Sequence, residues 1–195
     1  MKTIELRLAG TAPYLQCRFS KKAMEMMKQK QAAGSADKNK KPVRKARDFK
    51  ADYLGAMHMM NKKDYGIPAA AFRNAAISAC RLVNFKMTMA KLSIFVLPDG
   101  YDVIDATPLV KIISGKPEYH ESIGRNADGG CDIRIRAVWK QWKANVKVRF
   151  DEDQFSTVDV VNLFCRIGEQ IGIGEGRHDS RNSAGMGMGT FRVEI

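Results

Sequence analysis

Apolar and polar residues alternate from the start of the chain: Ile4, Leu6 and Leu8 share one side of an extended segment, with Glu5 and Arg7 on the other. A period of two predicts a strand with one buried face, and Ala12-Pro13 ends it. Ser20 is placed to cap a short helix through Met27. From Asp48 to Met60 the pattern turns helical, with Phe49, Tyr53, Ala56, Met57 and Met60 on one face. Methionines at this spacing belong to a core. Pro68 suits a first helical position, and Ala71, Phe72, Ala75, Ala76, Ala79 and Leu82 form a close-packing stripe that predicts a helix over 68–83. Strands are expected over 92–97 and over 103–113, the latter interrupted at Pro108, with Asp99-Gly100 turning between them.

The next stretch alternates twice. Cys131, Ile133, Ile135, Ala137 and Trp139 form one apolar row, and Trp142, Ala144, Val146, Val148 and Phe150 form another. The two rows predict an antiparallel hairpin turning at Lys140-Gln141, with Asp132 opposite Arg149 and Arg134 opposite Lys147. Its polar face would gather Arg134, Arg136, Lys143, Lys147 and Arg149. Like charges opposed across strands repel unless an anion covers them, so this face reads either as a nucleic-acid platform or as a solvated exterior. Ser156 with Asp159 has the form of a capping box opening a helix that carries Val160, Val161, Phe164 and Ile167 and stops near Gly168. A short strand, Phe191 to Ile195, closes the chain.

Charge changes this picture from an ordinary core to one with a partner. The 195 residues suit a single domain spanning 1–195, and 45% hydrophobic content is enough for its core. The net charge of +12 favours a polyanion. Residues 21–50 hold eleven Lys or Arg against three acidic residues. Their middle, rich in Gly, Ser, Asn and Lys, has few apolar residues to pack. A mobile basic insertion is therefore expected at about 31–47, with Lys41, Arg44, Lys45 and Arg47 reaching a nucleic acid or a neighbouring subunit.

Four scattered cysteines without a C-x-x-C pair read as reduced thiols of a cytoplasmic protein, and three histidines far apart give no zinc pattern. Neither a metal nor a cofactor is expected. The N-terminus runs straight into a strand instead of a signal peptide, and no apolar run approaches about 18 residues, so no membrane association is expected.

Between the last helix and the last strand lies a glycine-rich run. Residues 172–195 carry six of the sixteen glycines, interleaved with Arg177, His178 and Arg181. Bare backbone N–H groups suit phosphate, so Gly174, Gly176, Arg177 and Arg181 read as a phosphate cradle. The spacing matches neither the dinucleotide fingerprint nor a P-loop.

Two of these segments resemble motifs of the RAMP superfamily of CRISPR proteins. Ile67-Pro68-x-x-x-Phe72-Arg73-x-Ala75 is similar to that superfamily's I-P-G-S-S-[LF]-[RK]-G helix start, although Ala69-Ala70-Ala71 replaces Gly-Ser-Ser. The run from Gly172 to Gly189 followed by Phe191-Arg-Val resembles its glycine-rich loop, and Leu6-x-Leu8 followed by Pro13 fits its first strand. The likeness covers about 60 residues in three pieces. It implies an α+β fold of ferredoxin-like or RRM-like type, an antiparallel sheet with helices on one face. It also implies a non-catalytic backbone subunit, in filament-like homo-oligomers, that binds single-stranded RNA or DNA, with CRISPR effector subunits as further partners. Arg73, Gly174, Arg177 and Arg181 match the motif positions, and the basic insertion would act as a thumb.

Two other functions fit the same residues. A metal-independent endoribonuclease needs a general base and a cation, which His178 with Arg177, Arg181 or Lys86 could supply. His58 reads as a helix-packing residue and His120 as a loop residue. An assembly factor or inhibitor would use the basic surface on an acidic protein. The first reading, a solitary and phage-encoded relative of CRISPR backbone subunits, accounts for both motifs.

Overall fold

The opening alternation forms β1 (Lys2–Gly10), and after the Pro13 break comes β2 (Tyr14–Gln16). Helices α1 (Lys21–Ala32) and α2 (Phe49–Gly55) follow, then β3 (Gly66–Pro68), α3 (Ala69–Ala79) and α4 (Met87–Ser93). Five strands come next: β4 (Ile94–Leu97), β5 (Gly100–Tyr101), β6 (Pro108–Ser114), β7 (Glu118–Arg125) and β8 (Cys131–Trp139). The chain continues as β9 (Lys143–Phe150), α5 (Thr157–Arg166) and β10 (Phe191–Glu194). The structure, a computed structural model, describes residues 1–19, 21–32, 46–125, 129–180 and 184–194. Ser20, Lys41, Arg44, Lys45 and Arg181, and with them most of the expected basic insertion, lie outside the described residues.

The fold is α+β, and every described strand pairing is antiparallel. In the main sheet β1 lies between β10 and β9, and β9 also pairs with β4. The spatial order β10-β1-β9-β4 makes two crossovers: α3 lies on the path from β1 to β4, and α5 carries β9 to β10. Each crossover skips one strand, so β1 and β4 run parallel with β9 between them. Beyond Lys147, where β4 ends, β6 takes its place beside β9 and carries β3 and β5.

One face of this sheet is the core. Leu6 and Leu8 of β1 lie opposite Val146 and Ala144 of β9, and all four are buried. Phe72, Ala75, Ala76 and Ala79 of α3 join them, and the small alanines let the helix backbone come close to the strands. Val160, Leu163, Phe164 and Ile167 from the second crossover helix complete the layer. That helix starts with the expected capping box: Ser156 Oγ accepts from Asp159 N (3.2 Å) and Asp159 Oδ2 accepts from Ser156 N (2.8 Å). The opposite face exposes Glu5, Arg7, Lys147, Arg149 and Arg192.

Several expectations are corrected. Residues 87–93 form a helix, so only the second half of the expected 92–97 segment is a strand. The expected 103–113 strand begins at Pro108, because residues 102–107 turn around Asp102. Helix α2 stops at Gly55, which leaves Met57 and His58 beyond its end. His120 lies in β7, a strand whose weak alternation gives no sequence signal.

The largest correction concerns the double alternation. β8 and β9 exist, but they do not pair with each other. β8 lies between β2 and β7 in a second, three-stranded sheet, whereas β9 lies in the main sheet. Lys140-Gln141 carries the chain from one sheet to the other. Trp139 and Trp142, on either side of this link, are both buried, and the Tyr14 ring packs against both at centroid distances of 5.6 and 5.9 Å. Trp142 Nε1 donates to Ala12 O (3.0 Å), and its carbonyl accepts from Gly10 N (2.8 Å). Any Cβ on Gly10 would lie 2.2 Å from Trp142 Nε1, so glycine is required there.

Trp142→Ala should therefore destabilise the whole domain by about 3–5 kcal/mol, the usual cost of emptying an aromatic core site. Urea unfolding followed by circular dichroism would measure it, with Arg192→Ala as a surface control expected to change little.

Candidate functional site

A cleft of about 730 Å³ opens between β2, α3 and the glycine-rich loop. Its walls hold Pro68, Ala71, Asn74 and Ala75 from the Ile67-Pro68 helix start, and Gly174, Glu175 and Arg177 from the loop. The two segments with family-like motifs, about a hundred residues apart in sequence, thus line one groove. Arg136 from β8 and Lys91 from α4 complete its polar rim.

The loop is a folded element. The helix α5 widens into a π turn at its end, where Gly172 N donates to Ile167 O (2.7 Å). Ile173 N then donates to Gly189 O (3.0 Å), and Glu175 N to Leu15 O (2.9 Å), which stitches the loop to its own return limb and to β2. Ile171 and Ile173 are buried. This corrects the reading of the glycines as a cradle with bare backbone. At Gly174 (φ +79°) a Cβ would lie 2.6 Å from Leu15 O, and at Gly176 (φ +77°) it would meet Met186 and Met188. The close approach that these glycines permit is to the chain itself.

Ion pairs pin the loop. Arg136 Nε pairs with Glu175, and its Nη2 donates to the other carboxylate oxygen at 3.1 Å, a two-pronged contact between β8 and the loop. Asp179 accepts from the Ser78 hydroxyl of α3 and from Arg81 Nη2 (2.9 Å). The Ser78 hydrogen bond and then the Arg81 charge hold the Asp179 carboxyl below its ordinary range. Arg177 Nη1 donates to Gly174 O (3.0 Å), and the side chain forms no ion pair among the described residues.

A second group of cations lies outside the cleft and connects to it. Arg149 and Arg73 both lie over the Phe95 ring, at 5.4 and 5.1 Å from its centroid. Phe95 faces outward on β4 opposite Arg149. Arg73 reaches round the free edge of β4, donating to Ile94 O (3.0 Å) and to the carbonyl of Lys91 (2.6 Å). A basic strip therefore runs from Arg149 through Arg73 and Lys91 into the cleft.

The basic face expected on a single hairpin is divided instead. Arg134 and Arg136 belong to the small sheet, and Lys147 and Arg149 belong to the main one. No like charges oppose each other: Lys147 lies between Glu5 and Leu97 and pairs with Asp99 (3.2 Å), and Arg149 lies between Thr3 and Phe95. Arg134 lies opposite Ser122, and its side chain crosses Gly124, where any Cβ would lie 2.0 Å from its Nε. Arg47, expected in a reaching segment, is held by Asp52 (2.6 Å), Asp132 (3.2 Å) and Ile133 O (2.6 Å). His178 is exposed and makes no side-chain hydrogen bond among the described residues.

Sequence reasoning missed His58. It is buried, its N–H is held by the Gln16 side chain (2.9 Å), and its ring lines the cleft. Nδ1 lies 2.8 Å from Asp102 Oδ2. Asp102 is also buried and accepts from Met59 N (3.3 Å) and Ile104 N (2.7 Å). Arg18, likewise buried, lies 3.5 Å from Asp102 and 3.1 Å from Asp105. His58, Asp102 and Asp105 bring possible metal-ligating atoms within 4.8 Å of one another, but the Arg18 guanidinium already supplies the cation.

No protein-family model matches the chain, and no curated protein matches it. Among the described residues no helix is long and apolar enough to cross a membrane.

Two outcomes follow from the loop geometry. Gly174→Ala should lower the melting temperature, because the left-handed backbone alone costs a Cβ about 1–2 kcal/mol. Asp179→Ala should speed amide exchange along the loop at the cost of roughly one hydrogen bond, about 0.5–1.5 kcal/mol. Because the folded carboxyl is held low, its contribution is complete above the unfolded value of about 3.9 and fades as pH falls through the folded one. Loop exchange in the wild type should therefore rise in that acid window, and in Asp179→Ala it should already be fast at neutral pH.

Proposed function

We propose that the chain is a non-catalytic, RAMP-type protein that binds single-stranded RNA or DNA and assembles along it. The observation that carries this reading is the run of cations from Arg149 across Phe95 to Arg73 and the Lys91 backbone, with Lys91 and Arg177 lining the cleft. Among the described residues, the side chains of these four cations make no ion pair within 4 Å, whereas Lys143, Lys147 and Arg136 are each paired to a carboxylate. Unpaired cations in a row fit a polyphosphate backbone, and Phe95 between two arginines offers a stacking face beside it.

The architecture supports the same reading. The order β10-β1-β9-β4, with both crossover helices on one face, supports a ferredoxin-like reading of the sheet. The cleft is formed where the Ile-Pro helix start and the glycine loop meet, the two motifs that resemble the RAMP superfamily. The exposed apolar side chains of Ile123 and Leu92 leave surface for contacts between copies.

Fluorescence anisotropy with a labelled single-stranded oligonucleotide tests the proposal. Wild type should bind with a steep salt dependence. Arg149→Ala, Lys91→Ala and Arg177→Ala should each weaken binding to all sequences alike and reduce the slope of log K against log salt by about 0.7 per lost contact. Size-exclusion chromatography with the same strand should show complexes larger than one protein per strand. Lack of binding at low salt would discard the reading, and unchanged slopes would remove the strip from it.

A further inference from the structure

The cleft floor holds a group that the basic strip does not explain. His58 is 8% exposed, and among the described residues its only ring partner is Asp102, at Nδ1. Every other group around Asp102 is a donor, the backbone amides of Met59, Ile104 and Asp105 and the Arg18 guanidinium, so Asp102 acts as the acceptor and Nδ1 supplies the hydrogen. That arrangement leaves Nε2, on the other side of the ring, for the cleft. Nε2 makes no hydrogen bond among the described residues. The atom is not sealed from solvent, so a ligand that enters the cleft can reach it.

The charges around it identify the ligand's sign. Near the ring, Arg18 faces the buried Asp102 and the exposed Asp105, so two carboxylates stand against one guanidinium. Across the cleft Arg136 cancels Glu175, and Arg81 cancels Asp179. The Cys17 thiol, pushed up chiefly by burial, is neutral. Lys91 and Arg177 make no ion pair within 4 Å among the described residues, although Asp179 feels the Arg177 charge.

We propose that the cleft floor is a phosphate subsite in which His58 Nε2 donates to a phosphate oxygen while Asp102 holds Nδ1, and Lys91 and Arg177 supply the balancing charge. The idea rests on the cleft being the end of the phosphate track, and it adds a specific buried donor whose strength depends on its proton. An imidazolium donates from both nitrogens, so binding and protonation favour each other reciprocally. A charge-assisted bond at a buried position is also stronger than one on the rim.

The test uses the wild-type protein first. Imidazole nitrogen and proton resonances are followed by NMR while dimethyl phosphate, which keeps one charge throughout, is titrated at about pH 6 and at about pH 8. The His58 signals should move and saturate, His120 and His178 serving as internal references. Affinity should fall by up to about tenfold per pH unit as the imidazolium is lost. Inorganic phosphate in a parallel titration distinguishes a free-ion site from a diester site. With an oligonucleotide, His58→Gln should abolish the pH dependence of binding, and Lys91→Ala should weaken binding but preserve that dependence. Stationary His58 signals, or a His58→Gln variant that binds with the wild-type pH profile, would overturn the subsite while leaving nucleic-acid binding intact. If phosphate moves His58 but no oligonucleotide binds, the subsite stands and the strand-binding function falls.

Discussion

The packing of Trp142 against Gly10 is the constraint on which the rest of the structure depends. The two-residue link Lys140-Gln141 does not turn a hairpin; the chain uses it to change sheets. Trp139 stays with β2 and β8, and Trp142 enters the main sheet beside Phe191, at a centroid distance of 5.9 Å. Tyr14 packs on both rings and thereby fixes β2 where the two sheets meet. The glycine loop is then laid onto the carbonyl of Leu15 in β2. The position of the cleft is thus a consequence of aromatic packing about the link.

The net charge of +12 is distributed with the same economy. Some cations are structural: Arg18 neutralises buried carboxylates, Arg136 fastens the loop and Arg47 ties α2 to β8. Removing such a group would leave a carboxylate without its partner, the costly kind of loss where the pair is buried. Others, such as Arg149 and Lys91, are free of ion pairs among the described residues. The two classes have the same residue types and differ only in what lies within 4 Å. Composition gives the total, and the fold decides how much of it is available to a partner.

Much was legible in the sequence where the signal was local. The alternation at Ile4 to Leu8, the capping box at Ser156 and Asp159, the helix after Pro68 and the strands at 131–139 and 143–150 all follow from side-chain period and cap chemistry within a few residues. Arg73, Arg136, Gly174 and Arg177 were picked out by motif or charge, and all four are at the cleft or on the strip that enters it. The role of the glycines was misread because a bare backbone looks the same whether it faces a phosphate or Leu15 O.

What the sequence determined by itself is therefore the class of fold, the faces of its elements and the excess of positive charge. These depend on the order of apolar and charged residues along a few turns or strands. Tertiary structure alone decided which strands pair, which arginines are consumed by carboxylates, and that His58 meets Asp102 from across 44 residues of chain. The physical reason is that a period of two says which side of a strand is buried but is silent on its neighbour. Ion pairs and buried hydrogen bonds are formed between groups that only long-range packing brings together.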